Sequence, residues 1–531
     1  MSQTWGLALA QMNALVGDIE GNAAKILALS RQAAAAGAEL IVFPELALIG
    51  YPPEDLLLRP SLERRIEAAL AHLAQAPIKL VLGYPGRRQG RLYNLAGVWE
   101  SGRCLLEYRK RCLPNYQVFD EQRYFSPGDQ VGIFEHRGQR LGLLICEDVW
   151  HELPVTSSIA AGADALICLN ASPYHQGKQD LRLQVLQAAQ RPLVYVNLVG
   201  GQDELVFDGA SCVLDAQGQL CAMAPAFTES LLMVQMQAAQ PQPGEVCARL
   251  EPLQEVYAAL VLAVRDYVEK NHFPGVVLGL SGGIDSALTL AIAVDALGPE
   301  RVRAIMMPYH YTAAMSIDDA RAQAQALQVD FRCYPIADVV TALQQSLHEE
   351  LSGPLGKTLE NLQARARGIM LMAISNRQGS LVLTTGNKSE MAVGYATLYG
   401  DMAGGFDVLK DVLKTQVFEL ARHRNRRSAV IPQRVIDRPP SAELAPDQKD
   451  QDTLPPYDIL DAVLTRYIEK DESAEAIVAQ GYERDMVYRV LRMVDLNEYK
   501  RRQAAIGPRL SERGFGKDRR YPITQAWRPG D

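Results

Sequence analysis

Apolar residues in the first half of the chain come in short runs separated by polar, helix-forming stretches. WGLALAQM (Trp5–Met12), ELIVFPE (Glu39–Glu45), IKLVLGYP (Ile78–Pro85) and LYNLAGVWE (Leu92–Glu100) read as strands. So do RLGLLICED (Arg140–Asp148), ADALICLNAS (Ala163–Ser172), PLVYVNLVG (Pro192–Gly200) and SCVLDAQGQL (Ser211–Leu220). The Ala-rich segment Gly21–Gly37 predicts a helix, with Asn22 as N-cap and Gly37 as its stop. Strands with both faces apolar and helices between them imply sheets covered by helices.

The pattern breaks at Gln237–Pro252, where three prolines and a glycine fall in a polar setting and mark a linker. A helical run follows (Leu253–Asn271), then strict alternation. GVVLGLSGG, RVRAIMMPY, DFRCYPI and SLVLTTG are strands, each followed by a helical pattern. This predicts a doubly wound parallel sheet, in which ligands sit beyond the carboxyl ends of the strands. The expected domains are therefore residues 1–240 and 253–531, with 241–252 joining them. The tail, RLSERGFGKDRRYPITQAW, reads as loop, and it and LSGPLGKT (Leu351–Thr358) are candidate lids.

Composition narrows the class. The chain has 531 residues, too many for one core. A net charge of −8 argues against a nucleic-acid binder, and the basic run RHRNRRS (Arg422–Ser428) reads as a solvated helix face or an interface. No run is long enough to span a membrane and no secretory leader is recognisable, so a cytoplasmic enzyme is expected. The eight cysteines show no C-x-x-C pair or zinc spacing, which predicts mostly buried, structural side chains.

Candidate chemistry is concentrated in two places. In Ser281-Gly282-Gly283-Ile284-Asp285-Ser286, the glycines permit a tight turn whose N–H groups face an anion at a helix N-terminus. Both serines can donate to phosphate oxygens. Asp285 would repel a bare phosphate but makes sense if it holds Mg²⁺. The missing G-K-[ST] ending excludes a Walker A loop. Upstream, Cys146 directly follows an apolar strand, Glu45 ends another, and Lys110 follows LLEY. A thiolate nucleophile needs a base, a cation for the oxyanion and a turn that exposes sulfur. His151 and His175 could also serve as bases, but no Cys-His pattern surrounds them.

The strand–SGGIDS–helix segment resembles the pyrophosphatase loop of ATP-dependent N-type ligases, which adenylate a substrate. TTGNKSEMAVGYATLYGDMAGGF, LKDVLKTQVFELA and DRPPSAELAPDQKDQDTLPPYDILD resemble the synthetase domain of the glutamine-dependent NAD synthetase family. That resemblance implies an adenine nucleotide α-hydrolase-like domain. Gly279, Leu280, Ser281, Gly282, Gly283, Ile284, Asp285 and Ser286 would hold ATP, together with Thr385, Lys414 and Ser441. Asn361, Arg365, Glu390, Lys410 and Lys500 would meet deamido-NAD, and Asp285 and Glu390 would meet Mg²⁺. Taken singly, Lys410 and Lys414 read as a solvated pair, and Glu390 as a helix-start charge. Leu413 stands where the family pattern has proline or tyrosine, which bears on the stiffness of the loop before Lys414.

ELIVFPELALIGYPPEDLL, YRKRCLPNYQVFDEQRYF and LICEDVW resemble the nitrilase superfamily, with its α-β-β-α sandwich, over about residues 3–240. The resemblance implies Glu45 as general base, Lys110 as oxyanion stabiliser and Cys146 as nucleophile. Tyr116, Ser172 and Lys178 would contact glutamine, and Glu121 would orient Lys110. Together the halves imply a carbon–nitrogen ligase that amidates deamido-NAD with ammonia from glutamine, giving AMP, pyrophosphate and glutamate. An enclosed passage for ammonia and a homo-oligomer, dimer or higher, are expected with it. A different ATP-pyrophosphatase amidotransferase and a non-catalytic sensor of ATP and dinucleotide are the alternatives.

Overall fold

The computed structural model describes residues 4–446 and 448–528. Met1–Gln3, Asp447, within DRPPSAELAPDQKDQDTLPPYDILD, and Pro529–Asp531 lie outside the described residues. The chain divides into two units, Met1–Glu251 and Pro252–Asp531.

The first unit opens with β1 (Thr4–Gln11), α1 (Ile19–Ala35), β2 (Ala38–Val42), α2 (Leu62–His72), β3 (Lys79–Arg88), β4 (Arg91–Glu100) and β5 (Arg103–Arg109). It continues through β6 (Gly132–His136), β7 (Gln139–Ile145), α3 (Glu152–Ala160), β8 (Ala165–Asn170), α4 (Lys178–Gln187) and β9 (Leu193–Asn197). The hairpin β10 (Val199–Gln202) and β11 (Leu205–Asp208) leads to β12 (Cys212–Leu214), β13 (Leu220–Met223), β14 (Ser230–Gln237) and β15 (Gln240–Pro241). One sheet runs β15-β14-β1-β2-β3-β4-β5 and the other β13-β12-β9-β8-β7-β6.

Strand periodicity explains the layers. Trp5, Leu7 and Leu9 of β1 share a core with Leu143 and Ile145 of β7 and with Ile167 and Leu169 of β8. The alternate residues Ala8 and Ala10 pack with Ile26 and Leu27 of α1. Leu144 and Cys168 pack outward with Leu186 of α4. The result is the expected α-β-β-α sandwich.

In the second unit, α5 (Pro252–Lys270) precedes β16 (Val276–Gly279), α6 (Ile284–Leu297), β17 (Val302–Met306), α7 (Ala314–Leu327) and β18 (Asp330–Cys333). Then come α8 (Ala337–Ser346), α9 (Lys357–Gln378), β19 (Leu381–Thr384), α10 (Lys388–Val393), β20 (Phe406–Asp407), α11 (Lys414–Arg427) and α12 (Gln433–Asp437). The sheet β18-β17-β16-β19-β20 is parallel throughout. A helical cluster of α13 (Tyr457–Leu464), α14 (Ala474–Val478), α15 (Arg484–Leu496) and α16 (Glu498–Arg501) follows. Val487, Val490, Leu491 and Val494 supply its apolar stripe at helical spacing. Among the described residues no helix is long and apolar enough to cross a membrane.

The cap and stop expected for the first helix are corrected, and three other segments are seen in detail. Helix α1 is capped by Asp18, whose carboxylate accepts from the Gly21 N–H, and it ends at Ala35 rather than Gly37. Asn22 is instead buried, its amide bonded to the Leu15 backbone and to Leu48 O. Within the basic run Arg424 is buried and grips Asp295 at 2.6 and 3.0 Å, while its exposed neighbours face solvent. The stretch read as a linker pairs along two strand ends, with Gln242 N bonding Gln235 O and Cys247 N bonding Met223 O. The tail has no helix or strand, yet Leu510 N and Ser511 N both bond Asp411 and Arg519 is buried against Asp495.

Candidate active sites

Strand ends bring the first cluster together. Glu45 follows β2, Lys110 follows β5, and Cys146 follows β7. Lys110 Nζ lies 2.6 Å from Glu45 Oε1 and 2.7 Å from Glu121 Oε1. Glu45 also accepts from Asn94 Nδ2 at 2.7 Å and from the Ala171 N–H at 3.0 Å. The Tyr51 hydroxyl donates to Glu121 Oε1 at 2.9 Å. Every one of these groups is buried, so water does not compete for the bonds. Gly83 makes room for the Glu45 loop, since a Cβ there would stand 2.4 Å from Leu46 N and 2.5 Å from Pro44 O.

Cys146 has φ +44°, a left-handed conformation that side chains rarely adopt, and it begins a single 3-10 turn ending at Trp150. Asp148 within that turn locks it in place. Its carboxylate accepts from Ile145 N and the Tyr108 hydroxyl on one oxygen, and from Arg111 N and Cys112 N on the other. The Cys146 turn and the segment just after Lys110 are thereby pinned to each other. Burial pushes the Cys146 thiol well above its ordinary pKa; Glu45 adds to this and Lys110 opposes it. Burial alone would pull the Lys110 ammonium down, but Glu121 and Glu45 hold it well above the usual lysine value. Cys146 is thus a buried thiol beside an ammonium and a carboxyl group, an arrangement that suits proton transfer at the moment of attack.

The residues read as glutamine contacts lie around this turn. The Tyr116 hydroxyl donates to Glu147, Lys178 Nζ stands 4.2 Å over the Trp150 ring, and the buried Ser172 hydroxyl accepts from Arg182 Nε. His151 Nε2 pairs with Glu147, and His175 Nδ1 with the Gln176 carbonyl, so neither of these contacts activates Cys146.

The second cluster sits at the carboxyl edge of the parallel sheet. The loop from Gly279 to Ser286 joins β16 to α6. Gly282 has φ +83°, and a Cβ there would stand 2.3 Å from Ser316 O, so only glycine fits. The Ser281 and Ser286 hydroxyls are 3.1 Å apart, and Gly283 N donates to Ser281 Oγ. Asp285 accepts from Asn387 Nδ2 at 2.8 Å and from Lys414 Nζ at 2.6 Å; Lys414 also reaches Glu390 at 2.9 Å. Ser389 Oγ takes the Lys414 N–H and donates to Asp461, which also accepts from Thr415 N. The starts of α10 and α11 are therefore tied to one carboxylate. Leu413, at φ −66°, holds an angle natural to proline, so the departure noted above leaves Lys414 in place.

Burial pushes the Glu390 carboxyl up, with Lys414 opposing and Asp285 reinforcing the shift. The two carboxyl groups around this one ammonium present hard oxygen donors of the kind Mg²⁺ takes. No group of three or more metal-ligating side chains exists among the described residues. Thr385 is half-buried between β19 and α10, and Ser441 is exposed, its hydroxyl bonded to Gln448 O at 2.5 Å. The Ser441 loop reaches the glycine turn through Arg438, which bonds Gly282 O and Ser316 Oγ.

Two family models match the chain. Carbon-nitrogen hydrolase covers residues 6–243 and NAD synthase covers 256–504. The glutamine-dependent NAD(+) synthetase of Acinetobacter baylyi is 50% identical over 540 residues, covering 100% of both chains. That of Aquifex aeolicus is 43% identical, covering 98% of this chain and 99% of its own. The chain belongs to the glutamine-dependent NAD(+) synthetases. The solved structure of the Acinetobacter baumannii synthetase with ADP is 47% identical, with a TM-score of 0.81 over 100% of both chains. The Cytophaga hutchinsonii synthetase, at 22% identity and TM-score 0.85 over 99% of this chain and 98% of its own, shares the fold.

The positions read as dinucleotide contacts by likeness to these synthetases gather mostly around residues 394–398. Asn361 accepts from the Thr397 hydroxyl, Arg365 Nε donates to Leu398 O, and Lys500 Nζ donates to Gly394 O and Ala396 O. Lys410 departs from that group, its ammonium bonding Ala505 O at 2.5 Å. Sequence reasoning missed Asn94, Asp148, Asn387 and Ser389. Each is an ordinary polar residue whose importance comes from partners far along the chain. The only local signals were Asp148 two residues beyond the nucleophile and Asn387 at the head of a helix.

Proposed function

We propose that the chain converts deamido-NAD, ATP and glutamine to NAD, AMP, pyrophosphate and glutamate. The observation that carries this reading is that one chain holds both an assembled Cys146–Lys110–Glu45 cluster and an assembled glycine loop with Asp285, Glu390 and Lys414. Residues 1–240 would act as the glutaminase and 253–531 as the synthetase.

In the first half, Cys146 sulfur attacks the carboxamide carbon as Glu45 takes the thiol proton. Lys110 offsets the charge forming on the amide oxygen. The tetrahedral species collapses, Glu45 returns the proton to the leaving nitrogen, and ammonia departs from a glutamyl thioester. Water, deprotonated by Glu45, then releases glutamate and the thiol. Tyr116, Ser172 and Lys178 would hold the amino acid.

In the second half, a carboxylate oxygen of deamido-NAD attacks the α-phosphorus of ATP. The bond to the bridging oxygen breaks and pyrophosphate leaves with the electron pair. Ammonia adds to the activated carbonyl carbon, loses a proton, and AMP departs. Backbone N–H groups of the glycine loop, Thr385, Ser441 and Lys414 would bind ATP. Asn361, Arg365, Glu390, Lys410 and Lys500 would orient the dinucleotide. Asp285 and Glu390 would hold Mg²⁺, which when bound neutralises phosphate charge.

A homo-oligomer belongs to the same reading, supported by Ile369, Met372 and Tyr399, which are 60%, 38% and 64% exposed near the proposed dinucleotide contacts. A cytoplasmic location is supported by eight cysteines that are all free thiols. The test is NAD and AMP formation by the purified chain with Mg²⁺, ATP and deamido-NAD, supplied with glutamine or ammonium. Equal amounts of both products are expected with either donor; absence of NAD with both overturns the reading.

A further inference from the structure

Arginines that leave the solvent are matched with acids in both units. Arg182 pairs with Asp208, Arg424 with Asp295 and Arg509 with Asp518, each at 2.6 Å. Arg501 meets Glu498 at 3.0 Å and Arg519 meets Asp495 at 3.1 Å. The pattern is physical: a guanidinium does not shed its charge, so shielding it without a counter-anion is costly.

Arg367 on α9, which is half-buried, has no acid within ion-pair distance among the described residues. Its Nε donates to the Met307 carbonyl at 3.0 Å, and among the described residues its fork has no other bond. Glu443 and Asp401 act on it only through space, and both are already engaged, Glu443 with Ser316 and Asp401 with Thr397 N. Burial pulls its pKa down to about 10 despite those two acids.

Its place in the unit says what is missing. Met307 directly follows β17, and a Cβ on Gly279 would stand 3.4 Å from the Met307 methyl, so the anchor lies beside the glycine loop. On the other side, Gly368 admits the next loop: a Cβ there would be 2.9 Å from Gly400 O and 3.3 Å from Tyr399 O. That loop adjoins the segment held by Asn361, Arg365 and Lys500. Arg367 therefore stands where the loop read as the ATP cradle meets the segment read as the dinucleotide seat.

We propose that Arg367 is a phosphate-contact residue, its four Nη hydrogens donated to phosphate oxygens of a bound nucleotide at the junction of the two subsites. The inference rests on the adenylation reading above. During attack on the α-phosphorus, negative charge accumulates on the phosphoryl oxygens while the bond to pyrophosphate breaks. A guanidinium fixed there stabilises that charge without reorganising. The phosphate could come from ATP or from the dinucleotide, and binding measurements separate the two.

The experiment uses full-length Arg367→Gln and Arg367→Lys proteins. Ammonia-driven NAD formation is expected to fall about 10²-fold or more in the Gln variant and less in the Lys variant. Thioester formation at Cys146 from glutamine should be unchanged. Without ligand, the melting temperature of the Gln variant should equal or exceed that of wild type, because an unmatched charge has gone; a structural anchor would lower it. Loss of the thermal shift given by ATP assigns the contact to ATP, and loss of the shift given by deamido-NAD assigns it to the dinucleotide. A Gln variant with rates within twofold of wild type and both shifts intact overturns the proposal. So does one whose ligand-free melting point drops by several degrees. An inactive wild type would count against the adenylation reading, whereas an active variant beside an active wild type counts against Arg367 alone.

Discussion

Each unit buries one lysine between two carboxylates, Lys110 between Glu45 and Glu121, and Lys414 between Asp285 and Glu390. The ionic triads are nearly superposable in description, with N···O distances of 2.6 and 2.7 Å in one and 2.6 and 2.9 Å in the other. Their surroundings differ. The Lys110 and Glu45 side chains are 0% exposed and tied by further donors, whereas Asp285 and Glu390 are each 17% exposed beside a turn of backbone N–H groups. A sealed triad next to a thiol suits proton transfer at one carbon. An open one at a sheet edge suits the arrival of a cation and a polyanion. The same three charges thus acquire different chemistry from what lies around them.

That contrast can be broken at either end. Cys146→Ala should lower glutamine-driven NAD formation on the order of 10⁴-fold while ammonia-driven formation persists, as the loss of a covalent nucleophile does elsewhere. Parallel assays with both donors check it, and equal loss with both would mean that the sites are not separate. Asp285→Ala should reduce turnover about 10²- to 10³-fold with both donors and leave thioester formation at Cys146 intact, read by trapping the acyl-enzyme. Full ammonia-driven activity in that variant removes Asp285 from the phosphate chemistry.

A smaller effect separates scaffold from chemistry. Asp148→Ala strands four buried or half-buried donors, so it should destabilise the first unit by about 3 kcal/mol or more, visible in urea denaturation. The smallest expected effect is a pH dependence. Burial, with Lys79 and Arg137, holds His136 down to about pKa 4 against the pull of Glu39 and Glu100. Because the folded state resists the proton that the unfolded chain accepts near pH 6.5, this contribution is whole above that pH and is lost as pH falls towards 4. His136→Phe, which keeps a ring against Trp5, should flatten the acid limb of the stability profile; an unchanged limb assigns it to other groups.

Much of this was legible along the chain because it depends on local order. Alternation marked β1, β7 and β8, and the doubled glycine at 282–283 marked the turn before α6. Strand β5 was not legible, since Arg103–Arg109 shows no clean alternation at a sheet edge, and β20 is two residues long. Asn22 looked like a cap because caps are polar and early, but Asp18 took that role and left Asn22 to bind the buried backbone. The supports of both sites were hidden for a different reason. Asn94 meets Glu45 across 49 positions and Asn387 meets Asp285 across 102, and no spacing rule spans such separations.

The backbone angle at Cys146 has a consequence for how this position can change over time. Glycine would relax the turn by about 1 kcal/mol, but it would also empty the space this buried side chain fills and loosen the unfolded chain, so the opposing effects are of similar size. The strained φ angle therefore sets no stability gradient towards losing the sulfur, and what a descendant keeps at this position would be decided by its chemistry rather than by its folding.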